Sequence, residues 1–369
     1  MKTSCLTISV AKSTTMTMRL YENVRVPWAP SFFAKSWIAL FLLVCLSSDA
    51  NANEPLSSYS GPIMGTSYQV KVRGLPPIQL KKEIEKVLER INLSMSTYID
   101  DSEISRFNDW QKIEPMKVSS DFLRVLGLAK QVYRTSEKAF DPTINPLVRL
   151  WGFGPDKKPT VVPSQSTLKT LLSRLGFDKI KFDQKELLVS KELPNLTLDF
   201  SAIAKGDAAD QVAEMLQSFG IKNYMIEVGG EVLTGGSKAG GAPWVIGVEI
   251  PSDNVFRKAA HAVKLGDLAL ATSGDYRNYF EIDGKRLSHI ISPVTGRPIE
   301  HDMASVSVLS QSCALADAYA TAFMVLGRKK TLAIARREKL PVLVIYRDGG
   351  EFKVETAAGF EDYLINRSF

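Results

Sequence analysis

The chain has 369 residues, 45% hydrophobic and 23% charged, which is enough to bury a sizeable core in one large domain or two smaller ones. Its formal net charge is +6, but five of the 46 basic and two of the 40 acidic residues fall within the first 52 positions, so the remainder carries only +3. That excess is too weak to indicate a nucleic-acid partner. The three cysteines, Cys5, Cys45 and Cys313, form no cluster that suggests zinc, and Cys313, alone after residue 52, is interpreted as a packing residue.

Residues 1–52 have the pattern of an export signal. Lys35 precedes an apolar run from Trp37 to Leu46, and the segment ends in an Ala-x-Ala motif at Ala52. The run of about ten residues is too short for a transmembrane helix. We therefore expect cleavage after Ala52 and an exported, periplasmic protein.

Two alternatives to cleavage remain open. A lipid anchor on Cys45 or an uncleaved leader would associate the protein with the inner membrane. The long positive region also leaves Met16 and Met18 as alternative starts to Met1.

After the leader, residues 53–62 are polar with two prolines and predict a linker, and residues 63–369 form the main domain. In the first half of this domain, periodicity predicts a strand at 67–72, helices at 79–94, 121–135 and 168–175, an exposed loop at 154–165 and two strands before Leu198.

In the second half, the pattern predicts helices at 201–219, 314–326 and 330–338 and strands at 224–228, 244–250, 260–265, 269–272, 276–282, 305–309 and 342–346. Helices and strands mix without a strict βαβ rhythm. The sequence therefore predicts an α+β fold of mixed sheets and packed helices.

Asp317 and Thr321 are four residues apart in a predicted apolar helix, so they share one helix face. A carboxylate and a hydroxyl on an apolar face need partners. Either they bridge to another segment, or they hold a hard cation such as Mg²⁺, which takes oxygen ligands.

The stretch from Leu198 to Gly206 is predicted to join a strand to the long helix at 201–219. The free N–H groups and dipole of a helix start favour an anion, and Lys205 adds a charge suited to phosphate. In the alternative interpretation, Asp199 or Ser201 is an ordinary N-cap.

Three further stretches suit either a ligand or the fold alone. Glycines at 229–230, 235–236 and 240–241 lack the Walker and dinucleotide patterns and suit tight hairpins. The turn at 140–147 and the aromatic residues at 151–153 suit a planar ligand or a loop covering the core. His289, one of three histidines, is a candidate base or a structural group.

Taken together and in this order, these stretches resemble the ApbE family, the FAD:protein FMN transferases. The similarity covers nearly all of the chain after the leader, and it implies an ApbE-like fold. The matching stretches are residues 64–66, 96–98, 105–108, 140–154, 199–210, 228–231, 272–276, 289–296 and 316–321.

The resemblance also implies roles for individual residues. Those that would line the FAD site are Met64, Tyr98, Ala139, Phe140, Asp141, Asp199, Lys205 and Ile291. Mg²⁺ would be bound by the side chains of Asp317 and Thr321 and by the backbone carbonyl of Ala202. His289 is the candidate that positions or deprotonates the nucleophile, and Asp275 is the alternative base.

The sequence departs from the family pattern at two positions. Tyr319 stands where many members have Leu between the two metal ligands, and Ser292 stands where many have Asp. These departures leave the Asp317 and Thr321 pair intact, but the helix packing and the turn at these positions are expected to differ.

The implied reaction moves FMN from FAD to a Ser or Thr hydroxyl of an acceptor protein and releases AMP. Mg²⁺ would be the cofactor, FAD a substrate, and flavoproteins such as membrane redox-complex subunits the acceptors. The alternatives are an exported flavin carrier without catalysis and a hydrolase that splits FAD to FMN and AMP.

Overall fold

The computed structural model describes residues 5–8, 16–19, 55–155, 161–249, 259–275, 279–282 and 285–365. The chain divides into two units, Met1–Asn51 and Ala52–Phe369. In the first unit, strands β1 (Cys5–Ile8) and β2 (Met16–Arg19) pair antiparallel. The predicted apolar run at 37–46, Cys45 and the cleavage site at Ala52 lie outside the described residues. Within the described residues, no helix is both long and apolar enough to span a membrane.

The second unit is rich in antiparallel strands. They are β3 (Leu56–Ile63), β4 (Thr66–Arg73), β5 (Met116–Lys117), β6 (Ile180–Asp183), β7 (Leu188–Lys191), β8 (Tyr224–Val228), β9 (Glu231–Gly235), β10 (Trp244–Glu249), β11 (Ala259–Leu265), β12 (Ala269–Gly274), β13 (Tyr279–Ile282), β14 (Lys285–Ser288), β15 (Met303–Ser310), β16 (Val342–Asp348) and β17 (Glu351–Ala357). Eight form the main sheet, in the order β17-β16-β15-β12-β9-β8-β4-β3. The others form a small sheet (β5-β7-β6) and the pairs β10–β11 and β13–β14.

The helices pack mainly on one face of the main sheet. They are α1 (Leu80–Met95), α2 (Glu103–Asp109), α3 (Ser120–Thr135), α4 (Asn145–Leu150), α5 (Gln165–Leu172), α6 (Ala204–Ser218), α7 (Cys313–Leu326) and α8 (Arg328–Glu338). Helix α7 contacts β9, β12 and β15, and it also contacts α3, α6 and α8. The most apolar helix therefore lies at the centre of the unit.

Sequence periodicity explains this layer. On β4, the alternating residues Tyr68, Val70 and Val72 are buried against the helices. On α1, Ile84 and Leu88 are buried at helical spacing, as an amphipathic helix requires.

A second apolar cluster covers the other face at one end of the sheet. Trp244 and Leu265 of the β10–β11 pair pack with Leu270 of β12 and with Leu343 and Ile345 of β16. Both faces of these central strands are therefore buried. Strand β15 accordingly is buried at every residue except the last.

The α+β prediction is confirmed, and most predicted elements occur within a few residues of their expected ends. The helix predicted at 168–175 lies earlier, as α5. Part of the predicted loop at 154–165 and the start of the strand predicted at 276–282 lie outside the described residues.

The linker predicted at 53–62 is wrong from residue 56 onward. Residues Leu56–Ile63 form β3, which pairs along its whole length with β4. This strand lies at the sheet edge and exposes polar side chains on alternate positions, so it lacks the hydrophobic alternation that marks a strand in a sequence. Its backbone pairing, rather than its burial, makes it part of the domain.

The predicted strand-to-helix junction near Leu198 is also wrong in detail. Residues 195–200 belong to no strand, and α6 begins at Ala204 rather than Ser201. The Leu198 backbone groups are paired by a side chain rather than by a neighbouring strand. The Asn108 side chain donates to the Leu198 carbonyl at 2.9 Å and accepts from the Leu198 N–H at 2.7 Å. Asp199 and Ser201 are not N-caps of α6, whose N-cap position is Ile203.

Candidate active site

A cavity of about 400 Å³ lies among the β8–β9 turn, the end of β12, α7 and the residues that lead into α6. All but two of the predicted site residues line it. These are Tyr98, Ala139, Phe140, Asp141, Asp199, Ala202, Lys205, His289, Ile291, Asp317 and Thr321. Segments far apart in the sequence thus meet at one place, as the order of their motifs predicts.

One side of the cavity, here called the charged wall, is formed by Lys205 of α6, Glu231 of β9 and Asp317 of α7. The Lys205 Nζ lies 2.7 Å from Oε1 of Glu231 and 3.3 Å from Oδ2 of Asp317. Both carboxylates are buried. Burial alone lowers the pKa of the Lys205 ammonium, but Asp317 and Glu231 outweigh it and raise that pKa above its usual value. The charged wall therefore carries two negative charges and one positive charge.

The backbone of α6 also holds Asp317. The Gly206 N–H donates to Oδ2 of Asp317 at 3.2 Å. A Cβ at Gly206 would lie 2.3 Å from the Cys313 carbonyl oxygen, so only glycine permits this close approach of α6 to α7. Cys313 itself is buried and forms no disulfide with any described residue, and burial raises the pKa of its thiol, as expected for a packing residue.

Asp210, one turn further along α6, caps the start of α7. Its carboxylate accepts hydrogen bonds from the Ser312 hydroxyl at 2.8 Å and from the N–H groups of Cys313 and Ala314 at 2.8 and 3.0 Å. Burial raises the pKa of Asp210 to about 6. The two helices that carry Lys205 and Asp317 are thus joined by hydrogen bonds at two levels.

Thr321 lies one turn beyond Asp317 on α7, and its hydroxyl is 3.3 Å from the Ser273 hydroxyl of β12. Both side chains line the cavity. Asp317, Thr321 and Ser273 therefore bring a carboxylate and two hydroxyls to the same side of the site.

The segment before α6 forms a turn held by its own side chains. Asp199 accepts hydrogen bonds from the Ser201 N–H, at 2.7 Å, and from the Ser201 hydroxyl. The Asp199 N–H donates to the Pro142 carbonyl at 2.8 Å, which links this turn to the 139–142 segment on the neighbouring side of the cavity.

The Asp141 side chain stabilises the turn in which it lies. Its Oδ1 accepts from the Thr143 N–H at 2.9 Å and from the Thr143 hydroxyl at 2.6 Å. Burial raises the pKa of this carboxyl, and the Thr143 hydrogen bonds oppose that shift. The carboxylate therefore shapes the backbone that presents Ala139 and Phe140 to the cavity.

A second group of lining residues, here called the aromatic wall, is formed by Tyr98, Phe153 and His289. The Tyr98 hydroxyl donates to the Phe153 carbonyl at 3.2 Å, and the Phe153 ring meets the His289 ring edge-on with centroids 6.2 Å apart. Tyr98 remains 64% exposed. These residues come from connecting segments rather than from the main sheet.

The two family departures have local explanations. The Tyr319 hydroxyl is 2.8 Å from the Thr135 hydroxyl, so the larger residue joins α7 to α3. The Ser292 hydroxyl accepts from the N–H groups of Val294 and Thr295 at 3.3 Å. A serine oxygen can take the place of an aspartate oxygen in such a turn.

Met64 and Asp275 do not line the cavity. Met64 is the first residue of the two-residue β3–β4 turn, with φ 49°, and its side chain packs against the core. Asp275 is bound by both terminal nitrogens of Arg347, at 2.9 and 3.0 Å. Asp275 therefore pairs with Arg347 outside the cavity lining, and its catalytic role stays a prediction.

Among the polar lining residues, Glu231 and Ser273 have no role predicted from the sequence, and Phe153 is predicted only as one of the aromatic residues at 151–153, for which a planar ligand and a loop over the core are alternatives. Each lies within a stretch that pointed to the family, and that position was the signal available. In the part of the chain that the structure describes, no cluster of three or more His, Cys, Asp or Glu side chains is suited to a metal ion. The candidate cation position is instead the oxygen set of Asp317, Thr321 and Ala202.

Comparisons with known proteins identify the same family as the sequence motifs. The ApbE family model matches residues 64–344. FAD:protein FMN transferase of Vibrio cholerae is 42% identical over 334 residues, which cover 89% of this chain and 99% of that protein. The Escherichia coli K12 protein of the same name is 36% identical over 311 residues, with coverage of 83% and 88%.

Solved structures show the same relationship. Flavin transferase ApbE from Vibrio cholerae superposes with a TM-score of 0.77 at 42% identity, covering 85% of this chain and all of that one. The Pseudomonas stutzeri flavinyl transferase ApbE, in its apo form, gives 0.77 at 35% identity, with coverage of 84% and 97%. The fold, the order of the motifs and these similarities together show that the chain belongs to the ApbE family.

Proposed function

We propose that this chain transfers FMN from FAD to a Ser or Thr hydroxyl of an acceptor protein, forming a phosphoester and releasing AMP, with Mg²⁺ as cofactor. The observation that carries the proposal is that a charged wall and an aromatic wall line one cavity. FAD combines phosphates with a planar ring, so it has a counterpart for each wall.

The chemistry of the donor set fits magnesium. Asp317 offers a carboxylate, Thr321 a hydroxyl and Ala202 a backbone carbonyl, all of them oxygen ligands of the kind that Mg²⁺ prefers. Asp317 already attracts the Lys205 ammonium, so positive charge is stabilised at this position. When bound, the ion would polarise the pyrophosphate oxygens as a Lewis acid.

The chain's own residues would place the substrate. The Lys205 ammonium would favour phosphate oxygens. Tyr98 and Phe153 offer ring faces and edges to the flavin. Asp199 and Asp141 hold the turns between these two regions.

The step itself is a displacement at phosphorus. The acceptor oxygen forms a bond to the FMN phosphorus, the bond from that phosphorus to the bridging oxygen breaks, and AMP leaves with the electron pair. Such transfers depend mainly on positioning and electrostatic stabilisation. The hydroxyl proton passes to His289, which lines the cavity beside Phe153.

The proposal includes the site of action. The leader pattern in residues 1–52 favours export to the periplasm, with the inner membrane as the location if Cys45 is lipidated or the leader is retained. Acceptors would then be exported flavoproteins or membrane redox-complex subunits.

One experiment separates the proposed reaction from its alternatives. The purified protein is incubated with FAD, MgCl₂ and a candidate acceptor, and both the acceptor mass and AMP release are measured. A mass increment equal to FMN less one water, as a phosphoester requires, is expected together with equimolar AMP. AMP without an increment would indicate a hydrolase, and bound FAD without either product would indicate a carrier.

A further inference from the structure

We infer that Glu231 is a positioning residue that receives the Lys205 ammonium when a divalent cation binds Asp317. The inference rests on the magnesium site of the proposed function and adds a role for a residue without one. In this arrangement Lys205 contacts both carboxylates in the absence of a metal ion and Glu231 alone when a metal ion is bound.

Lys205 lies where a cation is expected. Its Nζ is 3.4 and 3.3 Å from the two carboxylate oxygens of Asp317. A divalent ion on the same carboxylate would sit a few Å from the ammonium, and like charges at that separation repel strongly in a buried site. The ammonium must therefore withdraw from Asp317 when a metal ion arrives.

Glu231 can keep the ammonium paired after it leaves Asp317. Its Oε1 is already the nearer partner, at 2.7 Å, and its side chain is buried. An ammonium left in a buried site without an anion would be costly. A contact with Glu231 alone lets the ammonium stay inside the cavity, charged and beside the substrate phosphates.

The aliphatic part of the Lys205 side chain packs against the β8–β9 turn. A Cβ at Gly229 would lie 2.9 Å from Cδ of Lys205 and 2.8 Å from Cγ2 of Thr66. The stem therefore runs against bare backbone two residues before Glu231. The turn that accommodates the lysine also supplies its second anion.

Asp317 does not depend on Lys205 to keep its orientation. The Gly206 N–H donates to its Oδ2 at 3.2 Å. The carboxylate therefore stays in place when the ammonium withdraws. If Glu231 is neutralised, Asp317 is the one carboxylate among the described residues that still pairs with Lys205, which then competes with the metal ion for it.

The test is a double-mutant cycle on cation binding, with the full chain, measured first without flavin and again with FAD. Mn²⁺ is the probe, the free ion is counted by electron paramagnetic resonance, and Mg²⁺ competition checks the site. The variants are Glu231→Gln, Lys205→Met and their combination. Glu214→Gln is the charge control, because Glu214 is exposed on α6. Unfolding transitions of each variant verify the fold.

Glu231→Gln should weaken Mn²⁺ binding about tenfold when Lys205 is present and less than about twofold when it is Met, a coupling within the range for contacting residues. Lys205→Met alone should tighten binding. If Glu231→Gln does not fold, Glu231→Asp carries the same comparison, since it keeps the charge but withdraws it from Lys205.

An equal loss in both backgrounds overturns the inference, because Glu231 would then act on the metal ion directly and not through Lys205. Absence of Mn²⁺ binding by the unmodified chain, with and without FAD, overturns the magnesium site and this inference together. The first result leaves the proposed function standing and the second does not, so the two failures are distinguishable.

Discussion

The two walls of the cavity are built in different ways. The charged wall takes its residues from α6, α7 and β9, which pack together in the core of the domain. The aromatic wall takes Tyr98, Phe153 and His289 from connecting segments, and Tyr98 is largely exposed. Electrostatic stabilisation depends on fixed distances between charged groups, whereas a flavin ring has to enter and leave the cavity. The difference teaches that this domain puts charge on its rigid elements and ring contacts on its loops.

The largest expected effect comes from breaking the charged wall. Asp317→Ala should lower FMN transfer by more than about 100-fold, since even the loss of a metal's outer-shell partner costs about 10- to 100-fold. Acceptor mass after a fixed time, at limiting Mg²⁺, measures it. The control is Asp178→Ala, because Asp178 is an exposed carboxylate outside the cavity lining. Near-normal transfer by the Asp317 variant would exclude a metal role for this residue.

The next effect tests whether the aromatic wall also does chemistry. His289→Asn should slow transfer about 100-fold, at the lower end of the range for a general base. It should also remove the acidic limb of the pH–rate profile. His261→Asn, on β11 and outside the lining, is the matched control. An unchanged profile would leave His289 with a binding role only.

A third prediction concerns Asp210, which caps α7 from α6, and the pH dependence of its contribution to stability. The folded pKa of Asp210, about 6, exceeds the unfolded value near 4, so the native state binds more protons in between. The resulting contribution to stability is present below pH 4 and lost as the pH rises through 6. Asp210→Asn has no such titration. Relative to this variant, the unmodified chain should lose up to about 3 kcal/mol of unfolding free energy from pH 4 to pH 7.

Denaturant unfolding of both proteins at several pH values measures this difference. A constant difference between them across that range would show that Asp210 titrates normally in the folded chain.

A fourth, smaller effect tests how tightly the two helices of the charged wall are fitted. Gly206→Ala should lower the unfolding free energy by about 2 kcal/mol, because a Cβ there would overlap the Cys313 carbonyl. Gly266→Ala is the control, since its Cβ would meet nothing within 4 Å. Equal stability of the two variants in urea would show that α6 and α7 can separate at low cost.

The smallest effect is expected at the rim of the aromatic wall. Tyr98→Phe removes one exposed hydrogen bond to the Phe153 carbonyl but keeps the ring. A bond of this kind contributes about 1 kcal/mol, so KM for FAD should rise about two- to fivefold with kcat unchanged. Steady-state kinetics with varied FAD measures both constants. A large fall in kcat would mean that the Tyr98 hydroxyl takes part in the reaction.

The charged wall was partly predictable from sequence. Asp317 and Thr321 stand out because polar groups on an apolar helix need partners, and Lys205 stands out because it lies near a predicted helix start. Glu231 does not stand out. Its role depends on a contact with Lys205, and local periodicity contains no information about contacts between distant segments.

Other differences have equally physical causes. The edge strand β3 is defined by its backbone pairing with β4. Because a sequence pattern does not reveal backbone pairing, these polar residues predict a linker. Asp275 was proposed as a base because its stretch matches the family, but Arg347, far along the chain, binds its carboxylate. The hydrophobic pattern predicted the core helices and strands well, because burial determines both.

The sequence distance between Lys205 and Asp317 has a consequence for the order of assembly. The two residues are separated by 112 positions. The helix that carries Asp317, α7, packs against β9, which is synthesised long before it, and against β15, which is synthesised shortly before it. A growing chain therefore has no complete charged wall until residues 313–326 have been synthesised and have docked. Flavin chemistry is thereby reserved for chains that have folded almost to their end.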